Sequence, residues 1–127
     1  MVKRGKFNIA PKRERTLKGE VFDSKTELDF FKHLEFLKRA TLPSERVVDI
    51  QKQVKYPLVV NNFKVCDYIL DFMVTYADGS IYHYDVKGYT RGATYAVFRL
   101  KAKLMQAVYE IKVVEVKKSG SSWTYKF

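Results

Sequence analysis

The stretch "FKVCDYILDFMVTYADGSIYHYDVK" (residues 63–87) contains two β-favouring runs on either side of a turn. Residues 63–76 are rich in aromatic and β-branched side chains, "ADGS" (77–80) is a turn sequence, and "IYHYDVK" returns the chain as another strand. Strands joined by such a short connection pair antiparallel. The stretch therefore predicts a β-hairpin, and the geometry of its turn decides which side chains lie opposite each other.

Two registers of this hairpin are open. If the loop has two residues, Asp71 faces Val86, and the carboxylates of Asp71 and Asp85 point to opposite faces of the sheet. If the loop has three residues, 77–79, with its glycine in the left-handed conformation, Asp71 lies directly opposite Asp85. Only the second register places both acids and Lys87 on one face.

The position of Asp71 inside the apolar run "YILDFMV" needs an explanation. An ionised carboxylate there costs several kcal/mol unless it is paired, hydrogen-bonded or bound to a metal. A buried salt bridge is one explanation. A divalent cation is the other, because the carboxylates of Asp71 and Asp85 would repel each other, and magnesium binds hard oxygen ligands. The Val86 carbonyl could add an oxygen, and Lys87 could act on an attacking water or on a phosphate.

Further elements flank the hairpin. A helix is predicted from Ser24, a capping residue, through the apolar stripe of "SKTELDFFKHLEFLKRA". Residues 93–111 repeat apolar side chains at helical spacing and predict a second helix. Further strand candidates are "VVDIQKQVKYPLVV" (47–60), "IKVVEV" (111–116) and "SSWTYKF" (121–127).

The predicted order of elements is therefore α-β-β-β-α-β-β. Three strands joined by hairpins pair antiparallel, and the second helix carries the chain to a parallel fourth strand by a right-handed crossover. We predict an α/β fold with a mixed sheet, in which an α-β-β-β-α-β core is followed by an extra C-terminal strand. A chain of 127 residues buries one core, so we expect a single domain, residues 20–127, after a basic N-terminal arm, residues 1–19.

The net charge narrows the class of partner. The chain has 24 Lys and Arg against 14 Asp and Glu, which gives a formal charge of +10 and a pI near 9.7. Such a surface attracts polyanions, of which nucleic acid is the commonest in cells, although a merely basic protein shares this property. The predicted arm binds phosphates or is a solubilising tail. Its cations are Lys3, Arg4, Lys6, Lys12, Arg13, Arg15 and Lys18.

Several other classes of protein are disfavoured. The single cysteine, Cys66, cannot form an internal disulfide, and no Cys/His cluster has zinc-ligand spacing. The basic N-terminus lacks the apolar core of a signal peptide, and no apolar run approaches the ~20 residues that span a bilayer. We therefore expect a soluble protein of the cytoplasm with no membrane partner.

Glu27 has two possible roles. It stands three residues after Ser24, which is the spacing of a capping box. It also precedes Phe30 and Phe31 by three and four residues, so its side chain lies above the stripe that faces the core. A carboxylate in that position points towards the sheet and could reach a metal-bound water while still serving the cap.

These residues together resemble the PD-(D/E)XK nuclease superfamily. The resemblance rests on Glu27 in a helix, Asp71 in a strand and Asp85-Val86-Lys87 in the next strand, and it covers residues 24–116. The segments "FDSKTE", "YILDF" and "DVKGYT" are most similar to small phage-encoded endonucleases grouped with Holliday-junction resolvases. The chain departs from the motif at Leu70, where many members have a proline.

The resemblance implies a restriction-endonuclease-like fold and a metal-dependent DNA endonuclease. Asp71 would be the metal-binding aspartate, Asp85 the second acid and Lys87 the lysine of the motif. Glu27 would be the helix glutamate, and these acids with the Val86 carbonyl would hold Mg²⁺, for which Mn²⁺ can substitute. The implied substrate is branched DNA in phage recombination or packaging, cut by a symmetric homodimer in the host cytoplasm.

Cations elsewhere in the chain are expected to contact DNA. The candidate DNA-binding side chains are Lys3, Arg4, Lys6, Lys12, Arg13, Arg15, Arg91, Arg99, Lys101, Lys103 and Gln106. Two alternatives remain: a non-catalytic nucleic-acid-binding module, and a nuclease of another kind, such as a restriction enzyme, a nicking nuclease or an RNase. A groove that only binds phosphate gains nothing from two adjacent aspartates, which favours a nuclease.

Overall fold

The computed structural model describes four stretches of the chain: residues 10–17, 19–22, 24–88 and 91–127. The helices are α1 (Lys25–Phe36) and α2 (Ala93–Tyr109), with 3₁₀ turns at Lys12–Arg15 and Leu37–Arg39. The strands are β1 (Thr16–Leu17), β2 (Glu20–Val21), β3 (Val47–Val60), β4 (Phe63–Tyr76), β5 (Ile81–Val86), β6 (Val113–Ser119) and β7 (Ser122–Lys126). Within these stretches, neither α-helix is long and apolar enough to cross a membrane.

Five of the strands form one mixed sheet in the order β3-β4-β5-β6-β7. Neighbours pair antiparallel except β5 and β6, which are parallel. Helix α2 lies between these two strands in the chain and provides the crossover connection that parallel neighbours need. The predicted α/β class, with an α-β-β-β-α-β core and an extra C-terminal strand, is confirmed.

The loop between β4 and β5 has the three-residue form. The N–H of Tyr76 donates to the Ser80 carbonyl, and the N–H of Gly79 donates to the Tyr76 carbonyl, both at 2.9 Å. Gly79 has a φ of 92°, a conformation that glycine adopts without a steric penalty. The loop therefore closes around residues 77–79.

This loop decides the register of the hairpin. The ladder pairs Thr75 with Ile81 and continues to Phe72 with Tyr84. Extending the same register by one residue sets Asp71 opposite Asp85. The register on which the candidate site depends is confirmed, and the alternative with a two-residue loop is wrong.

Helix α1 begins with a side-chain cap. The hydroxyl oxygen of Ser24 accepts a hydrogen bond from the N–H of Glu27 at 3.0 Å, as the spacing predicts. Phe30 and Leu34 are fully buried, and the Phe30 ring lies 5.7 Å from the ring of Phe72, between centroids. The apolar stripe thus holds α1 on the sheet with its first turn at a defined position.

We expect Ser24→Ala to lower the free energy of unfolding by about 1 kcal/mol, because the first turn loses the acceptor for one of its N–H groups. Urea unfolding followed by circular dichroism measures this change. Ser44→Ala, at an exposed position before β3, is the control and should change the free energy by less than about 0.5 kcal/mol. Equal effects of the two substitutions would contradict the cap.

Two apolar clusters join the helices to the sheet. The cluster around α1 consists of Phe22, Leu28, Phe30, Leu34, Val47, Phe72, Val74, Tyr76, Tyr84, Val114 and Val116. The cluster around α2 consists of Leu58, Tyr68, Leu70, Phe98, Met105 and Val113. On β4 the boundary between the clusters falls at Asp71, which lies between Leu70 and Phe72. Packing on both sides therefore fixes the strand where the candidate acid stands.

A short ordered segment precedes α1. The 3₁₀ turn Lys12–Arg15 leads into a two-stranded ribbon of β1 and β2. The guanidinium of Arg15 donates to the carbonyl of Phe22 at 2.5 Å, which ties this segment to the cluster around α1. The arm predicted for residues 1–19 therefore overlaps the fold, and its residues 1–9 and Lys18 lie outside the described part of the chain.

Candidate active site

Strands β4 and β5 separate next to Asp71. The ladder runs to Phe72 with Tyr84, and just beyond it the N–H of Val86 donates to Oδ2 of Asp71 at 2.9 Å. A side-chain carboxylate thus accepts a bond from a strand N–H group at this point. Because a partly buried N–H needs an acceptor, the bond orients the carboxylate of Asp71 at the gap between the strands.

Asp85 is almost completely buried, with 3% of its surface exposed. Nζ of Lys87 lies 2.8 Å from its Oδ1, and the hydroxyl of Tyr68 donates to its Oδ2. Bonds to an ionised carboxylate are stronger than neutral ones, so both oxygens are well compensated. The salt bridge considered for Asp71 is formed by Asp85 instead.

Lys87 is held at three points. Its ammonium pairs with Asp85, and the same Nζ lies 3.9 Å from the centroid of the Phe98 ring. Its backbone N–H donates to the Val116 carbonyl at 2.8 Å, which continues the bonding between β5 and β6. A cation above an aromatic face is attracted by the ring electrons. The predicted proximity of Lys87 to Asp85 is confirmed.

The pKa of Asp71 is raised well above its usual range. Burial is the largest cause, followed by the negative charges of Asp85 and Glu27, while the N–H of Val86 and the charge of Lys87 oppose the rise. The three carboxylates therefore repel one another when ionised. A bound cation would favour the ionised forms, so this arrangement fits a metal ion.

We expect Asp71→Asn to raise the free energy of unfolding at neutral pH in EDTA. A carboxyl whose pKa is higher in the folded state binds more protons when the protein is folded. The free energy of unfolding therefore falls as the pH rises from the pKa of the unfolded state, about 4, through the raised pKa of the folded state. Asparagine cannot ionise, so this loss disappears. Urea unfolding between about pH 4 and pH 8 measures both the gain and the reduced slope.

The exposed carboxylate of Asp49 provides the control for this substitution. Asp49→Asn should change the free energy of unfolding by less than about 0.5 kcal/mol, as surface substitutions do. Asp71→Asn should exceed that value, with the sign of a stabilisation. A destabilised Asp71→Asn protein would show that the Asp71 carboxylate is compensated in the folded state.

Glu27 faces the aspartates from α1. Only 5% of its surface is exposed, and its Oε2 accepts a hydrogen bond from Nε2 of Gln53 at 3.0 Å. Its charge is one of those that raise the pKa of Asp71. The backbone N–H of Glu27 serves the Ser24 cap while its carboxylate is held by Gln53, and the contact with a metal-bound water stays a prediction.

Gln53 is a site residue that the sequence does not reveal. Pairing of β3 with β4 continues on both sides of it, which places it opposite Asp71. Its φ is 53°, in the left-handed region that non-glycine residues rarely adopt. Backbone strain of this kind concentrates at functional sites, where the surrounding structure enforces it. Here the strained residue supplies the amide that holds Glu27.

We expect Gln53→Gly to be more stable than Gln53→Ala by about 1 kcal/mol, because glycine tolerates positive φ and alanine does not. Both substitutions remove the amide, so the comparison isolates the backbone. Gln51 lies in regular pairing with Met73 on the same strand, and there alanine should be the more stable replacement. Urea unfolding of the four variants measures this reversal, and the same order at both positions would contradict it.

The donors for a metal ion are only partly assembled. In the described part of the chain, no three Asp, Glu, His or Cys side chains form a group that could hold a metal ion. The predicted set of Glu27, Asp71, Asp85 and the Val86 carbonyl is therefore not a preformed cage. One or two carboxylates are sufficient for Mg²⁺, which keeps several of its waters. Asp85 would exchange its contact with Lys87 for the ion.

Three of the predicted DNA-binding side chains are partly buried and bond to groups within the protein. Arg15 bonds to backbone carbonyls, Arg99 lies 3.0 Å from the carboxylate of Glu115, and Lys101 donates to the Asp67 carbonyl at 3.0 Å. Composition alone could not show which cations have partners inside the protein. The exposed candidates are Lys12, Arg13, Arg91, Lys103 and Gln106. Outside the described residues lie Lys3, Arg4 and Lys6.

A comparison with protein families identifies a relationship over nearly the whole chain. The model of a family described as "Protein of unknown function (DUF1064)" matches residues 6–126. The chain belongs to the DUF1064 family. No curated protein and no solved structure matched it. Because the description of DUF1064 names no activity, the function of this member has to be argued from the site at the gap between β4 and β5.

Proposed function

We propose that this DUF1064 protein is a metal-dependent DNA endonuclease with Glu27, Asp71, Asp85 and Lys87 as its catalytic residues. The observation that carries the proposal is geometric: the carboxylate of Asp71, held by the N–H of Val86 at 2.9 Å, lies at the gap opposite the buried Asp85, and Glu27 faces them from α1. Burying like charges together costs stability. A metal site needs this arrangement, whereas a surface that only binds phosphate does not.

The residues present fit Mg²⁺, for which Mn²⁺ can substitute. The carboxylates of Asp71 and Asp85 would hold the ion, with the Val86 carbonyl as a further oxygen donor. When bound, such an ion polarises the phosphate and lowers the pKa of a coordinated water. Glu27, held by the Gln53 amide, would accept a hydrogen bond from a water at the site and so orient it towards the phosphorus.

Lys87 would supply positive charge next to the scissile phosphate. Its ammonium pairs with Oδ1 of Asp85 at 2.8 Å, and it would leave this contact when Asp85 serves as a metal ligand. The free ammonium could then donate to a phosphate oxygen or to the attacking water. Because Phe98 and the backbone bond to Val116 hold Lys87 in place, its charge would be positioned before the reaction begins.

The charge of the chain and the resemblance to junction resolvases indicate the substrate. A formal charge of +10 and the exposed Lys12, Arg13, Arg91 and Lys103 support a nucleic acid. Branched DNA in phage recombination or packaging follows from the resemblance to junction resolvases. Two symmetric nicks require two active sites, so we propose a homodimer acting in the cytoplasm.

A cleavage assay tests the proposal. Four-way junction, duplex DNA, single-stranded DNA and RNA are each incubated with Mg²⁺ or with EDTA. We expect fastest cleavage of the junction and no cleavage in EDTA, and an identically purified Asp71→Asn protein controls for contaminating nucleases. Preferential cleavage of RNA or plain duplex would indicate another kind of nuclease. Tight binding without any cleavage would favour a non-catalytic nucleic-acid-binding module.

A further inference from the structure

A groove of about 550 Å³ opens between α2 and the β6–β7 end of the sheet. Helix α2 and the two strands each contribute polar or charged side chains to it. Its lining includes Tyr95, Arg99, Glu115, Lys117, Thr124 and Lys126. The described cations of this groove outnumber its acids by three to one, so it is positively charged.

The groove lies next to the candidate active site. The parallel pairing of β5 with β6 sets Asp85 beside Glu115, and the pairing of β6 with β7 sets Glu115 beside Lys126. Paired residues on adjacent strands are separated by roughly 5 Å. Asp85, Glu115 and Lys126 therefore form a row across three strands, and the groove begins one strand away from the acid proposed to hold the metal.

The floor of the groove is built from a buried carboxylate, Glu115, and its partly exposed partner, Arg99. Glu115 has 3% of its surface exposed, and its two oxygens accept bonds from the Tyr95 hydroxyl at 2.8 Å and from Arg99 at 3.0 Å. Arginine has five N–H donors, and the side chain of Arg99 is 43% exposed. Glu115 thus orients a guanidinium whose remaining donors are accessible to a ligand in the groove.

The walls add free positive charge and a hydroxyl group. Lys117 and Lys126 are exposed on neighbouring strands, and Lys117 lies across the ladder from Thr124. Ammonium, guanidinium and hydroxyl groups are the donors that proteins use for phosphate and sugar oxygens. The volume falls within the range of sites that hold a molecule of nucleotide size.

We infer that this groove binds the part of the DNA strand adjoining the scissile phosphate, with backbone phosphates on Lys117 and Lys126. The inference rests on the proposed nuclease function and extends it by naming where the strand lies. Because Glu115 lies beside Asp85 across the ladder, the part of the strand next to the groove comes within reach of the aspartates. Arg99, oriented by Glu115, lies between the groove lysines and the aspartates.

The test compares two double variants that each remove two positive charges. Lys117→Ala/Lys126→Ala removes the two lysine charges of the groove. Lys32→Ala/Arg39→Ala removes two exposed cations on and just after α1. DNA affinity is measured by fluorescence anisotropy in EDTA over a series of salt concentrations. We expect the groove variant to lower the slope of log affinity against log salt by about 2 and affinity by about tenfold. The α1 variant should leave the slope unchanged.

A second readout separates the groove from the nuclease proposal. In Mg²⁺, the groove variant should raise KM by more than it lowers kcat, because it removes binding contacts rather than reacting groups. If the wild type cuts no substrate but the groove variant still loses salt slope, the groove binds DNA and the nuclease proposal alone fails. If the wild type cuts DNA and the groove variant keeps its slope and KM, the groove inference is overturned. Equal losses in both double variants, or a wild type that binds no DNA, would also overturn it.

Discussion

Asp85→Asn should almost abolish cleavage of a four-way junction while leaving DNA affinity in EDTA at least as high as that of the wild type. The charge that would hold the metal ion is lost, although an oxygen remains for the Tyr68 hydroxyl. A metal ion stabilises the transition state by several kcal/mol, so the rate should fall on the order of 10³-fold. Without a cation, Asp71 and Asp85 repel phosphate, so removing one charge cannot weaken binding.

Asp49→Asn makes the same chemical change at an exposed position of β3 and should cut junctions at the wild-type rate. Calorimetric titration with Mn²⁺ should show weakened metal binding in Asp85→Asn and wild-type binding in Asp49→Asn. Wild-type cleavage by Asp85→Asn would remove Asp85 from the proposed mechanism.

The elements of the fold could be predicted because their signals are local. The capping serine and the stripe of α1, the helical spacing of α2 and the alternation of the strands each lie within one short segment. The register of the β4–β5 hairpin was less certain, since its Asp-Gly sequence is compatible with loops of different length. Gly79 has a φ of 92° in the structure, which fits the three-residue loop, whereas the presence of a glycine alone is compatible with either loop.

The neighbours of the acids were not predictable in the same way. The Tyr68 hydroxyl reaches Asp85 and the Gln53 amide reaches Glu27 across long stretches of chain. Neither residue differs in kind from other polar or aromatic residues of these strands. The left-handed backbone of Gln53 is imposed by its surroundings, so no propensity for it is present in the sequence.

The need of Glu115 for a partner could have been inferred from the sequence. It stands in the apolar run "IKVVEV", as Asp71 stands in "YILDFMV", and a buried carboxylate requires compensation in either place. The same argument that identified Asp71 therefore indicates a partner for Glu115, and the structure provides Arg99 and Tyr95. What the sequence could not supply was the identity of those partners, which come from a helix.

Lys87→Ala should cut DNA on the order of 10²-fold more slowly or worse, yet bind Mn²⁺ at least as tightly as the wild type. A protonated lysine has only donors and cannot be a metal ligand. Its ammonium occupies Oδ1 of Asp85 at 2.8 Å, so it competes with the ion for that oxygen. Removing the competitor should therefore leave metal affinity unchanged or raise it.

The same substitution has a consequence for stability that only the buried ion pair explains. Asp85 is 3% exposed, and loss of one partner of a buried pair costs about 3 kcal/mol. Lys87→Ala should therefore unfold at lower urea concentration in EDTA, and Mn²⁺ should restore much of the loss by compensating Asp85 in place of the ammonium.

Lys32→Ala, which removes an exposed lysine from α1, controls for the loss of charge and should leave both the cleavage rate and the response of stability to Mn²⁺ at wild-type values. Urea unfolding with and without Mn²⁺, together with calorimetry, distinguishes a catalytic lysine from a metal-site or purely structural one. Loss of Mn²⁺ binding in Lys87→Ala, or a destabilisation that Mn²⁺ leaves unchanged, would contradict a metal ion on Asp85. In that case Lys87 and Asp85 would be a structural pair, and the negative charge at the gap would need another explanation.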